Sequence, residues 1–265
     1  MKPAKLLRKK IRSHTLTTGV MVTYHFWPGV VEIAMRAGLD YMIIDFEHMT
    51  WDPEAVADAC AIGRRENFPI LIRPPQAEPI PLRLAADLGP CGMLVPYVES
   101  AATMDKVADA LLMKPRGQRR VGGPCGYWVK DWSYATWKRE VEDNFIIIPQ
   151  IESRKGLDAA DEIARHPLTT ALGIGPYDLS SDLGVCWEPK HPKQLAAVER
   201  IRKAARGAAK NMWIIGDAVD LQKRGFTFLC IGEPVAIMEG AMAGLVRDLK
   251  ARRPKRLSAG GKPLP

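Results

Sequence analysis

The sequence predicts an α/β fold, a single (β/α)8 TIM barrel. Eight short β-branched or apolar runs recur along the chain with amphipathic stretches between them, which is typical of βαβ units and a parallel sheet. The length of 265 residues, 47% of them hydrophobic, suits one domain of this kind. Neither G-x-G-x-x-G nor G-x-x-x-x-G-K-[ST] occurs, although a doubly wound sheet would more often carry such a phosphate-binding loop after its first strand.

The predicted elements alternate along the chain. The strands cover residues 18–26, 41–47, 69–75, 92–98, 145–152, 171–176, 212–216 and 227–232, each a short apolar run. Five amphipathic stretches between or after them predict helices at 53–66, 101–112, 156–165, 192–210 and 236–252. Eight such units in about 250 residues match a closed barrel.

The positive charge is concentrated at the two ends. The chain has 38 Lys and Arg against 30 Asp and Glu, a formal net charge of +8 that by itself suggests nucleic acid, an anionic membrane or an acidic substrate as the partner. Residues 1–13 and 250–265 each hold six basic residues and no acidic one, which leaves residues 14–249 with a formal charge of −4. We therefore expect a solvated basic segment (1–13), one barrel domain (14–253) and a basic tail (254–265). Nucleic-acid or membrane-surface binding by these ends is the remote alternative, since they offer almost no aromatic rings for stacking.

No targeting segment or cysteine framework is indicated. Apolar runs fall short of the roughly 18–20 residues of a membrane span, and the basic N-terminus is not followed by the apolar region of a signal peptide. The five cysteines are widely spaced and form no C-x-x-C pair, so we expect buried thiols. These features predict a cytoplasmic protein that acts on a small molecule and binds neither nucleic acid nor membranes.

Charged and polar residues follow four of the predicted strands at their carboxyl ends, where the active sites of (β/α)8 enzymes lie. They are Asp45, Phe46, Glu47 and His48 after the second run, Arg73 after the third, Gln150 and Glu152 after the fifth, and Gly175, Pro176, Tyr177 and Asp178 after the sixth. Each alone is readily explained as a solvated loop residue or a helix cap. Their repetition at one rim predicts a functional site.

The residue types at this rim favour enolate chemistry. Glu152 and Asp178 lie 26 residues apart, about one βα unit, and carboxylates from adjacent strands suit a hard divalent cation with open coordination positions. Arg73 would hold an oxyanion, because its guanidinium stays charged and presents its donors in a fixed fork. His48, oriented by Asp45, would move a proton near neutral pH.

An ordered series of motifs runs through the chain. They are A-G-L-D at 37–40 leading into D-x-E-H at 45–48, R-P-P at 73–75, V-P at 95–96, Q-I-E at 150–152, and G-P-Y-D-L-S at 175–180 with Gly184. In this order the motifs resemble the HpcH/HpaI family of class II pyruvate aldolases, metal-dependent barrel enzymes of the phosphoenolpyruvate/pyruvate superfamily. The resemblance covers roughly residues 17–247.

The resemblance implies a role for individual residues. Glu152 and Asp178 would bind Mg²⁺, Mn²⁺ or Co²⁺, Arg73 would stabilise the enolate, and His48 would be the base with Asp45 as its partner. Gln150 would lie near the metal, Gly175, Pro176 and Tyr177 would form the loop whose amides bind the substrate carboxylate, and Asp87 would reach the site of a neighbouring subunit.

Three departures from the family pattern lie beside these residues. Phe46 stands where the family usually has glycine, Tyr177 where many relatives have alanine, and Arg120 where a P-x-G-x-R-G pattern has its last glycine. We expect Phe46 and Tyr177 to line the substrate pocket, and the physiological aldehyde does not follow from the resemblance.

The predicted reaction is the reversible cleavage of a 4-hydroxy-2-oxo acid to pyruvate, or a related 2-oxo acid, and an aldehyde. His48 would remove the proton of the C4 hydroxyl, and Arg73 together with the metal would stabilise the enolate that remains. The alternative is oxaloacetate decarboxylation or another enolate-forming reaction at the same site. A CoA-ester lyase is less favoured, because D-x-E-H belongs to the pyruvate aldolase side of the resemblance.

Two features bear on assembly. Residues 114–144 form a long connection with three of the seven tryptophans, for which we expect burial at a subunit interface or, alternatively, a lid over the pocket. The resemblance implies a homo-oligomer, a trimer or hexamer, in which the predicted helix 236–252 packs on a neighbouring subunit.

Overall fold

A computed structural model describes residues 1–251. Eight parallel strands close into one barrel in sequence order, which confirms the predicted (β/α)8 fold. The strands are β1 (Thr17–Val22), β2 (Tyr41–Asp45), β3 (Ile70–Arg73), β4 (Gly92–Val95), β5 (Ile146–Ile151), β6 (Ala171–Ile174), β7 (Asn211–Ile215) and β8 (Phe228–Cys230). All eight overlap the predicted runs, most of which extended past the carboxyl end of the strand into the following loop. The C-terminal tail predicted at 254–265 lies outside the described residues.

Helices surround the barrel and connect its strands. Those described are α1 (Lys2–Arg12), α2 (Val30–Arg36), α3 (Pro53–Glu66), α4 (Pro79–Asp87), α5 (Ala101–Leu111), α6 (Tyr134–Trp137), α7 (Arg154–Asp158), α8 (Ala160–Arg165), α9 (Pro176–Asp182), α10 (Pro192–Gly207), α11 (Ala218–Lys223) and α12 (Pro234–Ala251). No helix within residues 1–251 is long and apolar enough to cross a membrane.

Local sequence explains where helix α3 begins and ends. The Asp52 side chain accepts a hydrogen bond from the Glu54 amide at 3.0 Å, and Pro53 occupies the first turn, where a missing N–H costs nothing. Asn67 ends the helix in the left-handed conformation with φ 58°. The helix therefore has the bounds predicted for it, whereas the single helix predicted at 156–165 is two short helices joined at Ala159.

Large side chains fill the barrel interior. The Tyr41 hydroxyl donates to the Leu229 carbonyl at 2.8 Å and accepts from Trp213 Nε1 at 2.8 Å, and the Phe228 ring packs edge-on to Tyr41. A Cβ atom on Gly19 would lie 2.5 Å from the Tyr41 ring, so β1 needs glycine at this point. These rings make the barrel a packed core rather than a pore.

The N-terminal segment is a helix packed against the barrel, so the expectation that residues 1–13 form a solvated tail is wrong. Ala4, Leu7 and Ile11 of α1 are buried at helical spacing. Arg8 donates to the Phe145 carbonyl at 3.0 Å, which ties α1 to the amino-terminal end of the barrel. Because this helix uses part of its charge in contacts with the fold, less of it remains for nucleic acid.

The segment from 114 to 144 contains a 3-10 helix (Gly123–Trp128), α6 and a π-helical turn (Lys138–Glu142). Trp137 is buried within the chain, while Trp132 stacks on it with ring centroids 5.6 Å apart and stays largely exposed. Four of the five cysteines are buried as expected, and the exception is Cys186, which is exposed.

Candidate active site

Asp45 and Arg73 form the centre of the site at the carboxyl rim of the barrel. They end neighbouring strands, and the register of the β2–β3 pair places them side by side. Arg73 Nε donates to Asp45 Oδ1 at 2.7 Å and Nη2 donates to Oδ2 at 2.6 Å, a two-point pair with both side chains buried. Although burial lowers it, the hydrogen bonds to Asp45 raise the pKa of Arg73, so the guanidinium stays charged.

His48 does not take Asp45 as its partner, and this part of the prediction is wrong. Asp45 accepts from Arg73 with both oxygens and from the Glu47 amide with Oδ1, at 2.9 Å, because the β2–β3 ladder brings the arginine directly beside it. His48 is exposed in the loop after β2. If His48 acts as the base, it does so without a hydrogen bond to the Asp45 carboxylate.

Glu47 belongs to the site, although no role was predicted for it from the sequence. Its Oε2 lies 2.8 Å from Arg73 Nη1, an ion pair whose geometry is not that of a hydrogen bond. Burial raises the pKa of Glu47 despite the neighbouring Arg73. Its position two residues after Asp45, in the loop that leaves β2 at the rim, is the signal that could have identified it.

Glu152 is the buried acid at the end of β5. Its Oε2 accepts from the Tyr97 amide at 2.9 Å and its Oε1 from Gln150 Nε2 at 2.7 Å. Burial first and then the charge of Glu47 raise the pKa of Glu152 to about 8. Gly175 touches the carboxylate so closely that a Cβ atom there would lie 2.0 Å from Oε1.

Asp178 lies in the first turn of α9 and is exposed to solvent. It is near enough to raise the pKa of both Glu47 and Glu152. The amides of Tyr177 and Asp178 also lie in this first turn, where N–H groups have no acceptor within the helix. The structure thus brings the expected acid pair and the expected loop to one place.

The donor set at this rim fits a divalent cation. Asp45 and Glu47 lie against the guanidinium of Arg73, and Glu152 and Asp178 lie at the same rim, so acidic groups outnumber basic ones at this site. Within residues 1–251 no group of three or more His, Cys, Asp or Glu side chains is arranged to hold a metal ion. Two carboxylates with open positions for water and substrate are an ordinary Mg²⁺ environment, and the buried, unpartnered Oε1 of neighbouring Gln150 adds an acceptor.

Asp87 and Phe46 do not join this cluster within one chain. Asp87 ends α4, whose carboxyl terminus lies at the opposite end of the barrel from the rim, and it binds Arg119 Nη2 at 2.9 Å. Its contribution to a neighbouring subunit stays a prediction. Phe46 donates its amide to the Arg73 carbonyl at 2.8 Å, and its half-buried ring packs against the apolar core.

Known proteins are similar to this chain in sequence and in structure. Residues 24–223 match the family described as HpcH/HpaI aldolase/citrate lyase. A hydroxypyruvate/pyruvate aldolase from Chromohalobacter salexigens is 27% identical over 237 residues, covering 86% of this chain and 93% of the relative. A 4-hydroxy-2-oxo-heptane-1,7-dioate aldolase from Shigella boydii is 27% identical over 226 residues, covering 83% and 86%. The crystal structure of an HpcH/HpaI aldolase from Desulfitobacterium hafniense has a TM-score of 0.84 at 29% identity and covers 97% of this chain and 99% of its own.

Proposed function

The chain belongs to the HpcH/HpaI aldolase/citrate lyase family, and from this premise we propose that it cleaves a 4-hydroxy-2-oxo acid reversibly into pyruvate, or a related 2-oxo acid, and an aldehyde. Membership confirms the expected family and the class of enzyme, an aldolase-type lyase. The observation that carries the finer assignment is the buried Arg73, held by Asp45 and Glu47, at the same rim of the barrel as the acids Glu152 and Asp178.

Arg73 and His48 have different roles in the proposed reaction. Arg73 is held by Asp45, and its fixed positive charge stabilises the negative charge that develops as the C3–C4 bond breaks. His48, exposed at the rim, accepts the proton of the C4 hydroxyl, and the electron pair of the broken bond passes into the enolate of the 2-oxo acid. Protonation of that enolate at C3 gives pyruvate.

Glu152 and Asp178 are the residues that would hold the divalent cation. A bound divalent cation supplies Lewis-acid stabilisation of the developing enolate charge. Gln150 keeps Glu152 in place through its 2.7 Å hydrogen bond, and the Tyr97 amide fixes the other oxygen. The first-turn amides of α9, at Tyr177 and Asp178, have no acceptor within the helix and would bind the substrate carboxylate.

Removal and return of metal tests this proposal. We expect chelation to abolish pyruvate release from 4-hydroxy-2-oxo acids, and Mg²⁺, Mn²⁺ or Co²⁺ to restore it. Activity that survives exhaustive chelation, or that borohydride traps as a covalent adduct, would overturn the assignment. Carbon dioxide released from oxaloacetate, without aldehyde from any 4-hydroxy-2-oxo acid, would assign the site to decarboxylation instead.

A pair of matched variants tests the metal ligands. Glu152→Gln should lose binding of Mn²⁺ in calorimetry, whereas Glu162→Gln, which changes an exposed carboxylate on α8, should bind as the wild type does. Wild-type Mn²⁺ affinity in a variant that lacks both Glu152 and Asp178 would show that the ligands lie elsewhere.

Helix α12 supports an oligomer. None of its side chains is buried, and its exposed apolar residues include Met238, Met242, Leu245 and Leu249, an arrangement that monomers rarely leave open. We expect this helix to pack on a second copy of the chain. Light scattering should show an oligomer that Leu245→Glu dissociates, and a monomeric wild type at full activity would contradict the expectation.

A further inference from the structure

Tyr97 lies at the rim beside Glu152. It follows β4, and its amide donates to Glu152 at 2.9 Å, so the backbone of this residue is part of the site. The side chain itself is 55% exposed. Gly175, the residue that precedes α9, contacts the other oxygen of Glu152, so Tyr97 and the start of α9 flank the same carboxylate.

Tyr177 and Trp187 form a second aromatic surface on the α9 side. Their ring centroids lie 5.3 Å apart at 53°, and they are 54% and 71% exposed. The buried hydroxyl of Ser180 links the two residues, since it donates to the Tyr177 carbonyl at 2.7 Å and its oxygen accepts from the Trp187 amide at 2.9 Å. The main chain that carries the two rings is therefore tied to the buried Ser180.

Two of the three rings sit on strained backbone. Tyr97 has φ 53° and Trp187 has φ 61°, conformations that favour glycine or asparagine rather than aromatic residues. Strain of this kind concentrates at ligand-binding positions. Tyr97 and Trp187 keep this strained backbone although their rings are exposed to solvent, so burial of the rings adds little stability in return.

The rim is acidic around these rings. Asp178 and Asp182 lie on α9 with Tyr177, Glu99 follows Tyr97 by two residues, and Lys155 is paired with Glu99 at 3.1 Å. A second carboxylate on the distal part of a substrate would meet negative charge here. An aromatic or other uncharged apolar group would instead cover the exposed rings.

We propose that Tyr97, Tyr177 and Trp187 bind the aldehyde half of the substrate, and that this half is aromatic or otherwise apolar and carries no carboxylate. The inference rests on the proposed aldolase function, in which the 2-oxo acid half occupies the buried centre beside Arg73 and Glu152. Because buried strands close the barrel below that centre, the other half of the substrate has to extend outward to the rim.

A panel of acceptors tests the inference in the direction of carbon–carbon bond formation. Wild-type metal-loaded protein is assayed with pyruvate and benzaldehyde, glycolaldehyde or succinic semialdehyde. We expect kcat/KM to be highest with benzaldehyde. In Trp187→Ala the ratio of kcat/KM for benzaldehyde to that for glycolaldehyde should fall roughly tenfold or more, the loss expected for one apolar ring contact. Trp187→Phe should restore most of the ratio, and Ile33→Ala, which removes an exposed apolar side chain from α2, should leave it as in the wild type.

The outcomes separate this inference from the function on which it rests. If no acceptor reacts, the aldolase assignment itself fails. If glycolaldehyde or succinic semialdehyde reacts well and benzaldehyde does not, or if Trp187→Ala leaves the ratio unchanged, the aldolase stands and the aromatic site is refuted. Saturation-transfer NMR of benzaldehyde gives a second readout, since Trp187→Ala should lose the transfer that wild type shows even without turnover.

Discussion

A methyl group added to Gly175 should disable the site without disturbing the fold. The backbone of Gly175 has φ −96° and ψ 93°, which alanine adopts freely, so the substitution acts through its Cβ atom alone. That atom would lie 2.0 Å from Glu152 Oε1 and 2.6 Å from its Cγ. Ordinary contact begins near 3.4 Å, so the carboxylate has to retreat by about 1.4 Å.

This displacement breaks the contacts that hold Glu152. Its oxygens accept from Gln150 Nε2 at 2.7 Å and from the Tyr97 amide at 2.9 Å, and such hydrogen bonds contribute about 0.5–1.5 kcal/mol each. A misplacement of about 1 Å at a reacting centre can lower the rate about 100-fold. For Gly175→Ala we therefore expect kcat/KM to fall about 100-fold and the affinity for Mn²⁺ to fall at least about tenfold.

Steady-state kinetics of pyruvate release and calorimetric titration with Mn²⁺ measure the two quantities. The control is Gly207→Ala, since a Cβ atom on that exposed helical glycine meets nothing within 4 Å. Metal affinity and kcat/KM within threefold of wild type in Gly175→Ala would refute the placement of Glu152 in the site.

Three further predictions follow from named contacts. Arg73→Ala leaves the buried Asp45 carboxylate unpaired and should lower the free energy of unfolding in urea by about 3–5 kcal/mol. The double variant Arg73→Ala, Asp45→Asn should recover most of this loss, and equal stability of the single and double variants would contradict the prediction. The hydrogen bond from Lys5 holds the pKa of Glu140 at about 2, below its ordinary 4.5, so its stabilisation is present above pH 4.5 and lost as the pH falls towards 2. The stability advantage of wild type over Glu140→Gln should shrink across that range in acid-unfolding curves, and a constant difference would argue against the contact. A chromogenic disulfide reagent should modify one thiol quickly in the native protein, Cys186, and all five after unfolding; rapid reaction of a second would contradict the burial of the others.

The sequence predicted the strands and the rim because both depend on local pattern. Strands β2 to β6 are buried on both faces, so they read as continuous apolar runs, and each polar residue that ends a run falls at the rim. Arg73, Glu152 and Asp178 could therefore be placed at one end of the barrel before any geometry was known.

The hydrogen-bond partner of Asp45 and the packing of α1 could not be predicted from local sequence. Whether Asp45 binds His48 or Arg73 depends on the register of β2 against β3, which local sequence does not reveal. In α1 the six basic residues of the segment predicted a solvated tail, whereas the spacing of Leu7 and Ile11 buries one face of a helix. A role for Tyr97 and Trp187 could not be predicted from local sequence, because it depends on their backbone conformation and on contacts made across the rim.

Helix α1 also bears on the order in which the barrel folds. Its Arg8 binds the Phe145 carbonyl and Thr170, and its Ile11 carbonyl accepts from Asn211, partners that lie 137, 162 and 200 residues along the chain. The entropy of closing such loops grows with their length, and no partner exists until β5, β6 and β7 have been made and assembled. We therefore expect α1 to dock after those strands have assembled. The segment that precedes the barrel in the chain should then be among the last to gain protection from hydrogen exchange.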